Sequence, residues 1–308
     1  MNYDFSQKRH WRRSLWNCIG DRVQTAKRDA IVLYLAGGLD QDRPVALAKG
    51  FRSENLIAIE HDEETAQQLR QRGTLTLLGD AFAHALAWNP KRHIDVCVLD
   101  LCGGLTQRTA ESIETMLALP HFAKAVIAVN MLRGRDAAGN ELRNALATSQ
   151  RELLQESLGF ESRAVQLGVV SQEKFSAMLF KALGGGPMKH RGSLLQSLIM
   201  RNWMAHCLLV EGAVDEHLQP TEPNERSSSA AGTRFVAAIQ RAKFQTLSYR
   251  STAHQTFDTL VFCNSLAAGN VHFSLEATAI ERSAPGLVQH RQQQAAILAH
   301  RTRRAARP

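Results

Sequence analysis

Between residues 30 and 131, short unbroken apolar runs alternate with stretches whose apolar residues recur every third or fourth position. Runs of the first kind occur at 30–36, 55–60, 74–78, 94–99 and 123–131. Continuous apolar character over so few residues predicts strands buried on both faces, as in a parallel sheet. The intervening stretches predict helices at 63–71, 81–88 and 106–119, with another beginning at Pro44. Five strands in succession, each followed by a helix, predict an open, mostly parallel α/β sheet covered on both faces.

The ends of the chain read differently. Trp11, Leu15, Ile19 and Val23 recur at fourth positions and predict an apolar stripe on an opening helix over 6–27, with Lys8, Arg9, Arg12 and Arg13 on its other side. Helical patterns are expected at 140–158, 172–183 and 193–209, the last offering Leu194, Leu195, Leu198, Ile199 and Met204 to a core. Gly184-Gly185-Gly186-Pro187 breaks the pattern between them, and 219–232, rich in Ser, Pro and Glu, reads as an exposed connection. Residues 244–250 and 257–264 alternate as two antiparallel strands joined by a polar turn. These shifts divide the chain into a basic N-terminal helix (1–29), a Rossmann-like core (30–170), a helical insertion and linker (171–232), a closing β-hairpin (233–280) and a basic tail (281–308).

Composition narrows the setting. With 44% hydrophobic and 21% charged residues in 308, the chain is neither disordered nor fibrous. No apolar run approaches the roughly 20 residues that span a bilayer, and the basic start is followed by no apolar run of a secretory signal. Five scattered cysteines form no paired ligand motif and the twelve histidines no cluster, so neither a disulfide framework nor a metal is expected. A reducing cytoplasm is the expected location. Thirty-seven Lys and Arg against 29 Asp and Glu give +8, a surplus that favours contact with nucleic acid.

In an open α/β sheet, ligands bind beyond the carboxyl ends of the strands. Those ends carry Ala36, Gly37, Gly38, Asp40 and Asp42 after the first strand, Glu60 after the second, Asp80 and Ala81 after the third, and Asp100 after the fourth. A row of carboxylates suits a ligand rich in hydroxyl, amine or ammonium groups. Phosphates would call instead for main-chain N–H groups and Arg or Lys. Each position also has a local use: Gly37-Gly38 as a tight turn, Asp80 and Asp100 as helix N-caps, Glu60 as a solvated strand end.

Taken together and in order, these residues resemble the class I S-adenosylmethionine-dependent methyltransferases over 30–131 and the late strand pair. The resemblance implies that the loop at Ala36, Gly37 and Gly38 wraps the methionine part of the cofactor. It further implies that Glu60 binds the ribose hydroxyls, that Gly79-Asp80-Ala81 lies by the adenine, and that Asp100-Leu101-Cys102-Gly103 faces the methyl group, with Asp100 catalytic. The sheet should end in an antiparallel hairpin. In the first loop only Gly38 falls on a glycine position of the family pattern, and Tyr34 stands where an acidic residue often ends the strand, which leaves Asp40 or Asp42 to meet the cofactor ammonium.

Competing motifs fall short: there is no G-x-G-x-x-G for a dinucleotide and no G-x-x-x-x-G-K-[ST] for a nucleoside triphosphate. Ser171-Gln172-Glu173-Lys174 matches S-x-x-K, but Ser171 is most simply an N-cap, and Cys102 reads as a small buried hydrophobe more readily than as a nucleophile. The expectation is methyl transfer from S-adenosylmethionine to a nucleic acid, DNA or RNA, with Arg12, Lys189 and Arg191 on the substrate side. The alternative is a methyltransferase-fold module without activity that binds nucleic acid, or a protein partner through the helical insertion.

Overall fold

The computed structural model describes residues 5–89, 92–101, 103–133, 195, 196, 199, 203, 237, 238 and 240–264. Helix α1 (Ser6–Gly20) is followed by β1 (Val32–Leu35), α2 (Asp42–Ala48), β2 (Leu56–Glu60), α3 (Glu63–Gln71), β3 (Leu75–Leu78), α4 (Ala81–Ala87), β4 (Val96–Asp100), α5 (Gln107–Ala118) and β5 (Val126–Arg133). Strands β6 (Gln245–Arg250) and β7 (Thr256–Cys263) close the series.

The seven strands form one sheet in the order β3-β2-β1-β4-β5-β7-β6. The first five strands pair in parallel. Strand β7 runs antiparallel to both β5 and β6, with Val126 opposite Cys263 and Arg133 opposite Thr256. This is the expected mostly parallel Rossmann-like sheet with its closing hairpin. The chain moves outward from β1 to β3, then returns to begin again at β4, so strand order reverses between β1 and β4. A crevice opens at such a reversal.

Each strand sends alternate residues to opposite faces, and both faces are buried. Leu33, Ile57, Leu77, Leu99 and Ile127 meet α4 and α5 on one side, together with Leu195, Ile199 and Trp203. Val32, Tyr34, Ala58, Val98 and Ala128 meet α1, α2 and α3 on the other. Local chemistry fixes the helix starts. Asp62, Asp80 and Thr106 each accept a hydrogen bond from the backbone N–H three residues on, capping α3, α4 and α5. Gly73, at φ 79°, lets the chain turn out of α3 into β3.

The opening helix departs from expectation at both its end and its face. It stops at Gly20 instead of running to residue 27, and Val23 packs against the core from outside it. Its buried face comprises Lys8, Trp11, Arg12, Leu15, Trp16, Cys18 and Ile19. Lys8 and Arg12 therefore lie on the side that meets the sheet, while Arg9 and Arg13 are exposed. The expected helices at 140–158 and 172–183, the basic tail, Cys102, Lys189 and Arg191 lie outside the described residues, as do most of the helical insertion and linker. Of the expected core positions in 193–209, Leu195 and Ile199 are helical and fully buried.

Candidate functional site

Along the carboxyl rim of the sheet, the first loop is shaped by glycine. Gly37 has φ 59°, in the left-handed region, and its carbonyl accepts the N–H of Asp40 to close a turn. A side-chain carbon placed on Gly37 would meet no described atom within 4 Å, and one on Gly38 would come no nearer than 3.8 Å to Thr65. The carbonyl of Gly38 accepts a hydrogen bond from the Arg72 guanidinium, which ties the loop to the end of α3. The space beside both glycines is open, with buried Ala36 behind.

The five acidic residues that end or follow strands have different fates. Asp40 and Asp42 belong to the fold. Asp40 is buried with both oxygens engaged, Oδ1 by the Tyr34 hydroxyl and Oδ2 by the Thr74 hydroxyl, each at 2.8 Å. It lies at φ 46°, a conformation that Asp tolerates better than most residues. Burial pushes its carboxyl above the ordinary range, against the pull of those two bonds. Asp42 is likewise buried, accepting the Trp16 indole N–H at 2.8 Å and lying 3.4 Å from Nε of Arg12. Neither is placed to meet a cofactor ammonium; they anchor the first loop to β1, β3 and α1.

Glu60 is different. Its Oε1 accepts the backbone N–H groups of His61 and Asp62 at 2.8 and 3.1 Å, and Nδ1 of the exposed His61 imidazole lies 3.0 Å away. These contacts fix the carboxylate at the end of β2 and leave Oε2 with no hydrogen-bond partner among the described residues. The carbonyl of Glu60 accepts the N–H of Gly79, whose φ of 133° only glycine adopts readily. That bond brings the Gly79-Asp80-Ala81 step against the end of β2. Asp80 is exposed and caps α4 with Oδ1 at 2.9 Å from the N–H of Ala83. Ala81 opens that helix.

Asp100 ends β4 across the strand-order reversal. It is partly buried, and its Oδ1 accepts a 2.7 Å bond from the Asn130 amide at the matching position of β5. Lys8 of α1 reaches its Oδ2 at 3.1 Å. The network continues inward: Asn130 also donates to the Tyr249 hydroxyl, Thr259 donates to Asn130, and the Trp11 indole donates to Thr259. The Lys8 ammonium lies over the rings of Trp11 and Tyr249, at 5.9 and 5.7 Å from their centroids. Five elements thus converge on Asp100. Lys8, Asn130 and Tyr249 belong to this site and were not singled out by the sequence. The signal for Lys8 was its spacing, since positions 8, 11, 12, 15, 16 and 19 form one helical face.

Arg12, expected on the substrate side, is 5% exposed and turned to Asp42 instead. The rim therefore brings together Gly37, Gly38, Glu60, Gly79 and Asp80 on one side of the reversal and Asp100 with Lys8 and Asn130 on the other. Glu60 and Asp100 are two strand spacings apart in the sheet, about 10 Å laterally.

No family model and no curated protein matches the chain. Solved structures similar to it include an rRNA methylase from Streptococcus thermophilus at 10% identity, covering 80% of this chain and 93% of that one, with a TM-score of 0.33. A plantazolicin methyltransferase bound to SAH is 11% identical over 82% and 85% of the two chains, with a TM-score of 0.34. A structure described as an O-methyltransferase from Klebsiella pneumoniae is 11% identical over 86% and 83%, with a TM-score of 0.37. At these scores the likenesses decide neither ligand nor reaction. The chain's own strand order and antiparallel close give it the Rossmann-like sheet that the class I methyltransferase resemblance implies.

Proposed function

We propose that this chain binds S-adenosylmethionine across the carboxyl ends of β1, β2 and β3 and catalyses methyl transfer to a nucleic acid held beyond β4. The observation that carries this reading is Glu60, with one carboxylate oxygen fixed by two backbone N–H groups and the other without a described partner. A carboxylate so held is preorganised to accept hydroxyl donors, which suits the paired hydroxyls of a ribose. The open space beside Gly37 and Gly38 accommodates the methionine part, and Asp80 and Ala81 border the adenine.

The cofactor supplies an electrophilic methyl group on a sulfonium sulfur. The chain's part is to align the acceptor and remove its proton. Holding two reactants in line replaces an encounter in solution, a gain of up to roughly 7–11 kcal/mol in well-oriented systems. Asp100 would be the base: Asn130 and Lys8 orient its two oxygens, each of which keeps a further lone pair, and it would take the acceptor's proton as the acceptor–methyl bond forms and the methyl–sulfur bond breaks. Positive charge at Lys8 balances the carboxylate while it waits.

Calorimetric titration of the full chain with S-adenosylmethionine tests this. Wild type should release heat with one-site stoichiometry, and Glu60→Ala should weaken binding by at least tenfold. No heat from wild type, or affinity unchanged by Glu60→Ala, overturns it. A second reading is a module that binds nucleic acid without transferring methyl groups. It is favoured by Asp40 and Asp42, whose engagement leaves the first loop no free carboxylate for the cofactor's ammonium. Nucleic-acid binding without cofactor binding would select it.

A further inference from the structure

We propose that Arg133, Thr256 and Arg250, side by side at the rim ends of β5, β7 and β6, form a phosphate-binding row that holds the backbone of the acceptor nucleic acid. This rests on the nucleic-acid part of the reading above and supplies the substrate contact that Arg12, turned to Asp42, does not.

The register of the closing hairpin places the three together. Thr256, the first residue of β7, lies opposite Arg133 of β5 on one side and Arg250 of β6 on the other. Residues directly opposite in neighbouring strands share a face of the sheet. The row therefore stands on one face and spans two strand spacings, about 10 Å. It is the face away from α1, because Tyr249 and Phe257, one position inward, pack with the cluster that α1 covers. Arg133 and Arg250 each end their strand, so the row lies on the carboxyl rim. Arg133 is three residues beyond Asn130 along β5, about 10 Å by strand rise. A phosphate held there belongs to the stretch of nucleic acid presented at Asp100.

Both guanidinium groups keep donors for a ligand after their partners in the fold are counted. Asp258, fully buried one row inward, accepts from Nε of Arg133 at 2.9 Å and from its Nη2, and the Ser248 hydroxyl donates to the same carboxylate at 2.7 Å. That pairing uses two of the five N–H donors of the Arg133 fork. Nη1 has no partner among the described residues, and the side chain is 32% exposed. A buried ion pair is a weak source of stability. This one holds a planar fork in place with an edge left over, and such an edge matches the oxygens of a phosphate. Arg250 is exposed and commits only Nε, to the carbonyl of His254 at 3.4 Å. The Thr256 hydroxyl, between the two, has no hydrogen-bond partner among the described residues. Asp258 is the only acid in β5, β6, β7 and the turn at residues 251–255. With Arg133 set against Asp258, the row carries one net positive charge, the complement of one phosphodiester.

The test uses the full chain with fluorescein-labelled duplex DNA and single-stranded RNA of mixed sequence, followed by anisotropy over a salt series. Arg250→Gln should lower the log–log salt slope by about 0.9 on the DNA or about 0.7 on the RNA, the loss of one phosphate contact. At about 0.1 M salt that weakens binding roughly eightfold or fivefold. Thr256→Val should weaken binding several-fold with the slope unchanged, since it removes a hydrogen bond and no charge. Arg133→Lys keeps a cation for Asp258 but has no second edge for a phosphate, and should lose as much as Arg250→Gln. Should that variant fail to fold, Arg250→Gln and Thr256→Val, which leave the Asp258 pair intact, decide the matter. Arg52→Gln removes one exposed cation elsewhere and should bind as wild type does. A loss in Arg52→Gln equal to that in Arg250→Gln means that only net charge matters and overturns the row. Wild-type binding by both Arg250→Gln and Thr256→Val also overturns it, while the nucleic-acid reading stands. Failure of wild type to bind either probe removes both. Competition by adenosine monophosphate as strong as by unlabelled nucleic acid, at equal phosphate concentration, reassigns the row to a phosphorylated small molecule and overturns the proposal.

Discussion

Lys8 and Asp100, 92 positions apart in the chain, meet at 3.1 Å with side chains only 8% and 14% exposed. The pair joins the opening helix to the end of the fourth strand, at the place where the acceptor is proposed to lie. Removing one partner strands the other charge in a place poor in water, which costs about 3–5 kcal/mol for a buried pair. Lys8→Met should therefore destabilise the chain markedly in urea. Lys8→Met combined with Asp100→Asn should recover a large part of the loss. Equal destabilisation by the single and double changes would show that packing of the Lys8 stem, and not charge, is what matters.

Asp80 offers a way to separate capping from ligand binding. Asp80→Ala removes the side chain that caps α4 and should cost about 1 kcal/mol. Asp80→Ser keeps a capping oxygen but loses the carboxylate. If Asp80 borders the adenine, Asp80→Ser should retain thermal stability and still weaken S-adenosylmethionine binding. Calorimetry beside thermal unfolding reads both.

His121 predicts a pH dependence. Its imidazole is buried, with Nε2 donating to the carbonyl of Ala85 at 2.8 Å, and burial lowers its pKa to about 4. The unfolded chain takes up the proton near pH 6.5 and the folded chain only near 4, so stability is complete above 6.5 and lost as pH falls through that window. The loss is on the order of 3 kcal/mol. Urea midpoints at several pH values should show it, and His121→Gln should flatten the slope between pH 6.5 and 4.

Trp16→Phe keeps most of the packing of a fully buried ring but removes the indole N–H that meets Asp42. The carboxylate would retain Arg12 at 3.4 Å and lose its shorter partner. A loss of about 1–3 kcal/mol is expected for an unsatisfied buried acceptor. Denaturant unfolding measures it, and the increment caused by Trp16→Phe should be smaller when it is measured in an Asp42→Asn background.

Cys18, Cys97 and Cys263 are buried free thiols, and burial raises each, Cys97 to about 12. Because the thiolate is the reactive form, none of the three should be alkylated by iodoacetamide in the native protein. Peptide mapping before and after unfolding in urea checks this site by site.

The strands were legible because a sheet buried on both faces leaves unbroken apolar runs in the sequence, and each of the seven lies within two residues of its expected position at nearly every end. Helix α3 was legible to the residue, since Asp62 and Gly73 mark its limits chemically. The fates of the rim carboxylates were not. Asp40 follows a strand and Glu60 ends one, yet the first is closed by Tyr34 and Thr74 while the second keeps an oxygen without a hydrogen-bond partner among the described residues. Tyr34 stands close to Asp40 in sequence and Thr74 far from it, and spacing along the chain does not record which side chains fold back onto a carboxylate. Arg12 misled for a related reason: a cation on a helix reads as solvated until the opposing surface is known to hold Asp42.

The first helix takes part of its hydrogen bonding from the last strands of the sheet. The Trp11 indole waits for Thr259, 248 positions later, and Cys18 and Arg22 for Gln245. During synthesis, segments made first emerge first, so the five parallel strands can assemble while this helix still lacks its partners on β6 and β7. Its hydrogen bonds to β6 and β7 therefore form after the rest of the sheet has been made, and they tie together segments more than 220 positions apart.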